Sequence, residues 1–245
     1  MIPLFISNIG RTHYADAWGL QQELWKLRHE GAIQDILLLT EHDHVYTLGR
    51  SAKDHHLLAS DEELIRSKTE VFHIDRGGDI TYHGPGQIVG YPIIDLNNYF
   101  LDIHRYLRNL EEVLIHALGS FGIGAERDKD FTGVWVNHEK IAAIGVKVSR
   151  WVTMHGFALN VNTDLSKFDR IIPCGIFHKG VTSMHRILGE LMSMDSVEKA
   201  IGDTFAGTFG CSVTWIDLNQ LNIPGAKRFS SRHQEHDYVQ ASTID

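Results

Sequence analysis

Cysteine is scarce in this chain: Cys174 and Cys211 are the two present among 245 residues. They could form one bridge at most, and no C-x-x-C pair offers a zinc site. No apolar run approaches the roughly 18 residues that a membrane-spanning helix needs. The start, Met1-Ile2-Pro3-Leu4-Phe5, has neither a basic stretch nor a small-residue cleavage site. A secretory leader is therefore not expected, and a reduced, cytoplasmic setting is. Basic charge is short as well: 23 Lys and Arg face 31 Asp and Glu, for a net charge of −8. That balance argues against a nucleic-acid binder, whose phosphate contacts need a net basic face. Histidine numbers 16, yet Glu41-His42-Asp43-His44 places adjacent ligand types on a turn with no third cluster. It reads as a solvated loop, and no metal is expected.

Glycine, by contrast, is concentrated. Arg76 to Pro92, Arg-Gly-Gly-Asp-Ile-Thr-Tyr-His-Gly-Pro-Gly-Gln-Ile-Val-Gly-Tyr-Pro, interrupts two apolar runs with five glycines and two prolines. Gly84-Pro85-Gly86 fits a tight turn, Pro85 presetting φ and Gly86 free to take a positive one. Gly77-Gly78 lets the main chain press against a ligand. Between the turns, strand alternation puts Thr81 and His83 on one face and Ile80 and Tyr82 on the other.

The remaining pattern predicts helices and strands in alternation. Ile6 to Gly10 is a short first strand, and Tyr14, Ala17, Trp18, Gln21, Leu24 and Trp25 recur at helical spacing. Asp35 to Leu39, Val45 to Leu48 and Val71 to Ile74 are strands. Ser60, three residues before Glu63, makes a capping box for a helix reaching Lys68. Ile103 to Leu118 is the clearest amphipathic helix, ended by Gly119. Val134 to Val136, Lys140 to Val148 and Val152 to Val161 form a meander, Asp164 to Phe168 one helical turn, and Asp195 caps a last helix. One domain over 1–228 is expected, with 229–245 as a polar tail.

Cys174 lies between Pro173 and Gly175 where the chain leaves regular structure, and Gly175 leaves room to aim a backbone N–H at a developing oxyanion. Cys211 looks structural. A thiol nucleophile needs a cation or a neutral amine beside it, because a free thiol is mostly protonated at neutral pH. Lys140, Lys147, His83 and His155 are candidates. Strand alternation separates the two lysines onto opposite faces, and spacing alone does not choose between them.

Arg76-Gly77-Gly78, Thr81-Tyr82-His83-Gly84-Pro85-Gly86-Gln87, Lys140-Ile141-Ala142-Ala143-Ile144-Gly145, His155-Gly156-Phe157-Ala158-Leu159-Asn160 and Pro173-Cys174-Gly175 together resemble the octanoyltransferases of lipoate synthesis, the lipoyl(octanoyl) transferases. The resemblance runs from about Tyr46 to Ser183 and keeps the family's motif order. It implies the α/β (α+β) fold of the biotin/lipoate protein ligase superfamily, a mixed, largely antiparallel sheet with packed helices. It implies acyl transfer from octanoyl acyl carrier protein to a lysine of lipoyl carrier domains, those of 2-oxo acid dehydrogenase and glycine cleavage proteins. No cofactor, nucleic acid or membrane is implied.

By the same resemblance Cys174 is the nucleophile that becomes a thioester, and Lys140 matches the thiol-activating lysine. Arg76, Gly77, Gly78, Asp79, Ile80, Thr81, Tyr82 and His83 match the segment that lines the acyl pocket, as do Ala143, Ile144, Gly145, Gly156, Phe157 and Ala158. Asp79 stands where an uncharged residue is expected, which leaves its side-chain role open. His155 is a possible supporting residue. Docking of an acidic carrier on this acidic chain calls for a local basic patch, with Arg50, Arg76, Lys147, Arg150, Lys179 and Arg186 as candidates. Two other readings compete: an ATP-dependent lipoate or biotin protein ligase, and a non-catalytic module that binds lipoyl domains.

Overall fold

Apolar residues on both faces of several strands require cover on both sides, and that requirement organises the molecule. The structure, a computed structural model, describes residues 1–172, 180–221 and 223–229. In β2 (Asp35–His42), Leu37 and Leu39 enter one core while Ile36 and Leu38 enter another. The neighbours repeat the division. Ile88 of β6 (Gln87–Ile93) joins the first core, and Val89, Tyr91 and Ile93 join the second. In β10 (Val152–Asn160), Phe157 and Leu159 point one way and Ala158 the other.

These strands belong to an eight-stranded sheet completed by β1 (Ile2–Thr12), β7 (Glu126–Arg127), β8 (Val134–Val136), β9 (Glu139–Ser149) and β11 (Cys211–Trp215). Its order is β11-β1-β2-β6-β10-β9-β8-β7, parallel at β11-β1-β2 and antiparallel beyond. A smaller sheet has the order β4-β3-β5, from β3 (Val45–Leu48), β4 (Glu70–His73) and β5 (Ile80–His83). The mixed, largely antiparallel architecture agrees with expectation.

One face is covered by α3 (Ile103–Gly119) and α5 (Met194–Phe209), the other by α1 (Tyr14–His29) and the turns after β11. Helix α2 (Asp61–Arg66) carries the expected capping box: Glu63 N–H donates to Ser60 Oγ at 3.3 Å and Ser60 N–H to Glu63 Oε2 at 3.1 Å. A short α4 (Met184–Leu188) follows Ser183. The meander is β8-β9-β10, and both of its two-residue links run at positive φ, Asn137-His138 at 48° and 68° and Arg150-Trp151 at 50° and 63°. Mirror-image turns of this kind match the twist of the flanking strands.

Four expectations are corrected. The first strand starts at Ile2 because it pairs in parallel with Cys211 to Trp215. The last helix begins at Met194, capped by Ser193, whose hydroxyl accepts the Ser196 N–H; Asp195 sits in its first turn. Phe229, assigned to the tail, is buried beside Leu20 and Ala226 in the second core; residues 230–245 lie outside those described. Finally, Glu41 and His42 continue β2, and His42 is fully buried.

Packing explains the last of these. His42 Nε2 lies 2.6 Å from the Tyr91 hydroxyl and its ring meets those of Tyr14 and His83 edge-on. Tyr14 in turn stacks on His83. Burial pushes the His42 imidazole down to about 4 and that of His83 to about 3. Both rings are neutral in the folded protein and titrate normally when unfolded, so between pH 6.5 and their folded values the unfolded chain binds more protons. Stability from these rings is complete above pH 6.5 and falls as the pH is lowered. Acidification from pH 6.5 to pH 5 should cost up to about 2 kcal/mol per ring. Melting followed against pH should show a shallower acid slope for His42→Gln than for the parent, and equal slopes would contradict the assignment.

Gly86 makes a second prediction. It sits at φ 78° in a turn closed by Gln87 N–H donating to Gly84 C=O at 3.2 Å, and a Cβ there would lie 2.6 Å from the Asn162 carbonyl oxygen. Gly86→Ala should destabilise by at least about 2 kcal/mol, measured by urea unfolding; a loss below about 0.5 kcal/mol would mean that the turn relaxes freely.

Candidate functional site

The Gly-rich stretch leaves β4 and is laid against the outer edge of β9. Gly77 N–H donates to Val146 C=O at 2.9 Å. No side chain fits between them: a Cβ on Gly145 would stand 2.9 Å from Gly77 O and 3.0 Å from Arg76 Cδ. Arg76 is buried, and its Nη2 donates to the Thr47 carbonyl at 2.7 Å and the Thr47 hydroxyl at 2.9 Å. Gly49, Arg50 and Ser51 donate their N–H groups to Asp79, Arg76 and Gly78 carbonyls. The loop is held at both ends.

Between loop and strand lies a cavity of about 440 Å³, within the usual 300–1,000 Å³ of small-molecule sites. The loop side is Arg76 to Thr81 with His83; the strand side is Lys140 and Ala143 to Val146; His155 to Ala158 of β10 lie between. Of the pocket residues expected from the sequence, Tyr82 alone does not line it. Alternation along β5 turns its ring toward Tyr46 and Phe168, and its hydroxyl lies 2.6 Å from His44 Nδ1. Cys174 lies outside the described residues. The chain is described to Ile172, whose N–H donates to His56 C=O, and again from Gly180.

Several wall residues were not anticipated. Tyr14 shares the apolar periodicity of α1 with core residues and carries no separate signal. Tyr91 and Asn160 fall inside the quoted motif stretches without a role assigned to them, while Ile103 and Leu107 enter from α3, Phe131 from the segment before β8 and Trp135 from β8 itself. Gln87 was within the motif, and its role is a bridge. His83 Nδ1–H donates to Gln87 Oε1 at 2.8 Å, while Gln87 Nε2 donates to Asn160 Oδ1 at 2.9 Å and Asn160 Nδ2 to Thr182 C=O at 3.0 Å. The donor assignment follows from the amide, whose nitrogen faces Tyr82 O and Asn160 Oδ1 and so leaves its oxygen to the ring.

The two lysines part company, as alternation requires. Lys140 stands on the cavity wall, its Nζ 4.7 Å from the centre of the Trp135 ring. Its backbone accepts from Thr182 N–H and donates to Gly180 C=O. Lys147 instead pairs with Asp75 Oδ2 at 2.5 Å, and the other oxygen of Asp75 lies 3.0 Å from His155 Nε2. Burial raises the Asp75 carboxyl, and the hydrogen bonds from Lys147 and His155 outweigh it, so the net direction is down. Burial lowers the His155 imidazole, with Asp75 partly offsetting. His155 also adopts φ 57°, its N–H donating to Gln21 Oε1. A non-glycine residue at positive φ in a ligand cavity is strain that the surroundings hold in place.

Asp79 does have a side-chain role. Its carboxylate accepts the Ile80 N–H at 2.7 Å and lies 2.8 Å from His56 Nδ1. Of the six candidates for a basic patch, Arg76 is buried, Lys147 is paired with Asp75, Arg186 stands 3.9 Å from Glu139, and Lys179 lies outside the described residues. Cys211 is buried at the start of β11, where burial pushes its thiol up to about 11. That is no nucleophile.

A family model for the lipoyl protein ligase A/B catalytic domain matches residues 13–206. Octanoyltransferase from Rubrobacter xylanophilus is 56% identical over 203 residues, 82% of this chain and 91% of that protein. Octanoyltransferase from Caldicellulosiruptor saccharolyticus is 49% identical over 220 residues, 89% of this chain and 94% of the relative. Among solved structures, lipoate-protein ligase A bound with ATP superposes with a TM-score of 0.65 at 14% identity, covering 92% of each chain. A bipartite lipoate protein ligase of Thermoplasma acidophilum gives 0.67 at 15%, covering 92% of this chain and 90% of that one. At such identities the structural likeness speaks for the fold alone. Among the described residues no helix is long and apolar enough to cross a membrane. With half its residues shared along most of its length, the chain belongs to the octanoyltransferases of the lipoyl protein ligase A/B catalytic-domain family and is an acyltransferase of lipoate biosynthesis.

Proposed function

We propose that the octanoyl group is taken from octanoyl acyl carrier protein onto Cys174 and passed to the ε-amine of a lysine on a lipoyl carrier domain of the 2-oxo acid dehydrogenase and glycine cleavage kind. Lys140 is the thiol activator and general base. The observation that carries this reading is the position of Lys140. It faces the cavity enclosed by the family motifs, and its backbone is bonded to Gly180 and Thr182, a few residues beyond Cys174.

In the first step the Lys140 amine removes the thiol proton, and the thiolate attacks the carrier thioester. The carrier sulfur leaves and takes the proton back from the Lys140 ammonium. In the second step the acceptor amine attacks the Cys174 thioester and gives its proton to Lys140 as the S–C bond breaks. Thioester for thioester is near even and amide formation runs downhill, so the sequence needs no ATP. Arg76, Gly77, Gly78, Asp79, Ile80, Thr81 and His83 form one wall for the acyl chain, and Ala143, Ile144, Gly145, Gly156, Phe157 and Ala158 the other. His155 supports the second wall through Asp75. His83, neutral and bonded at both nitrogens, orients rather than transfers.

Incubation with octanoyl carrier, followed by intact mass, should show one octanoyl adduct that hydroxylamine removes and that Cys174→Ala lacks. A normal adduct on that variant would refute the nucleophile. Lys140→Met should slow adduct formation at least about a hundredfold, and Lys147→Met no more than a few-fold; equal effects would assign the wrong lysine. Turnover that requires ATP would instead favour a ligase, and binding without any adduct a non-catalytic module.

A further inference from the structure

Glu111 is out of place in the pattern of its helix. It lies on the inner face of α3 among Tyr106, Leu110, Val113 and Leu114, and its side chain is 0% exposed. A carboxylate there is costly unless its oxygens are engaged. They are: Oε2 accepts from Arg108 Nη1 at 2.7 Å and lies 3.2 Å from Arg127 Nε, while Oε1 accepts the Gly133 N–H at 3.0 Å.

Gly133 leads to the active amine. It has φ 132°, and a Cβ on it would meet the Ala142 carbonyl at 2.7 Å and the Lys140 Cε and Cδ at 3.3 and 3.6 Å. Its bare Cα therefore lies on the stem of Lys140, while Trp135, two residues on and paired with Lys140 across β8 and β9, places its ring under the Nζ. The ladder shifts register between Val134 and Trp135, just after Gly133, where Glu111 grips the chain. Neither Glu111 nor Gly133 lines the cavity.

We propose that Glu111 is a positioning residue for Lys140: from outside the cavity its carboxylate pins Gly133, and Gly133 and Trp135 together fix where the amine stands. The proposal rests on the reading of Lys140 as base. Other charged residues of the cavity wall are Asp130, Asp79 and Arg76, and Glu139, next to Lys140 along β9, faces Arg186.

Two mild substitutions separate this role from a merely structural ion cluster. Glu111→Asp keeps the charge for Arg108 and Arg127 and loses the reach to Gly133; Glu111→Gln keeps the reach and loses the charge. In the full chain the Lys140 amine is titrated by NMR of ¹³C-labelled lysine, assigned with Lys140→Met, beside the rate of adduct formation. Release from the ring removes an interaction that favours the ammonium, so E111D should lower the Lys140 midpoint by about half a pH unit and slow the adduct about tenfold. E111Q should stay within about twofold of the parent. Two native-like variants, equal effects, or E111Q as the worse of the two would each overturn the proposal. A moved midpoint with an unchanged rate would uphold the brace and overturn Lys140 as base. Should either variant fail to fold, Trp135→Phe, which leaves Glu111 alone, must still lower the midpoint, and an unchanged midpoint would be decisive against the brace.

Discussion

A backbone hydrogen bond, Gly77 N–H to Val146 C=O, joins the loop between the strands of the small sheet to the edge of the large one. It forms because Gly145 offers no side chain to hold the loop away. Without that approach β9 would be an open edge past Ala142, and the cavity would be a groove. Its closure also threads Arg76 across Gly145 to Thr47. The Thr47 hydroxyl then meets His83, and His83, Gln87 and Asn160 carry the connection to Thr182, beside Lys140. Loop, floor and the backbone of Lys140 are parts of one hydrogen-bonded frame.

That frame also decides where charge is allowed. Asp75 ties Lys147 and His155 together at one end, and burial keeps His42 and His83 neutral in the interior. The Lys140 amine stands against an aromatic face, the ring of Trp135. The proposed acyl chain can lie between the two regions because His83, Gln87 and Asn160 of the wall are bonded to one another and Arg76 to Thr47. An amine on the cavity wall suits the proposed reaction, which moves one proton at a time.

Much of this was legible in the sequence where local chemistry decides structure. The capping box at Ser60, the turn at Gly84 to Gln87, the amphipathic α3 and the meander through β10 all rest on near neighbours. The family motifs pointed to the cavity because its walls are contiguous stretches. What could not be read depends on distant partners. His42 looked like part of a solvated turn, and only Tyr91 and Tyr14, from other elements, make it core. Tyr14 has the spacing of a packing residue and also lines the cavity. Phe229 sits in an aperiodic stretch and is buried by α1. Glu111 drew no notice, since a carboxylate on a helix is ordinarily solvated.

The central claim is that one cavity, closed by Gly77 on β9, holds the acyl chain with its reacting carbon at Lys140. Crystals of the enzyme loaded with its octanoyl thioester test this directly. The account predicts density for the acyl chain between Gly77-Gly78 and Ala143 to Gly145, with the thioester carbonyl within hydrogen-bonding reach of the Lys140 amine. Density for the chain outside that cavity, or a thioester remote from Lys140, would contradict it.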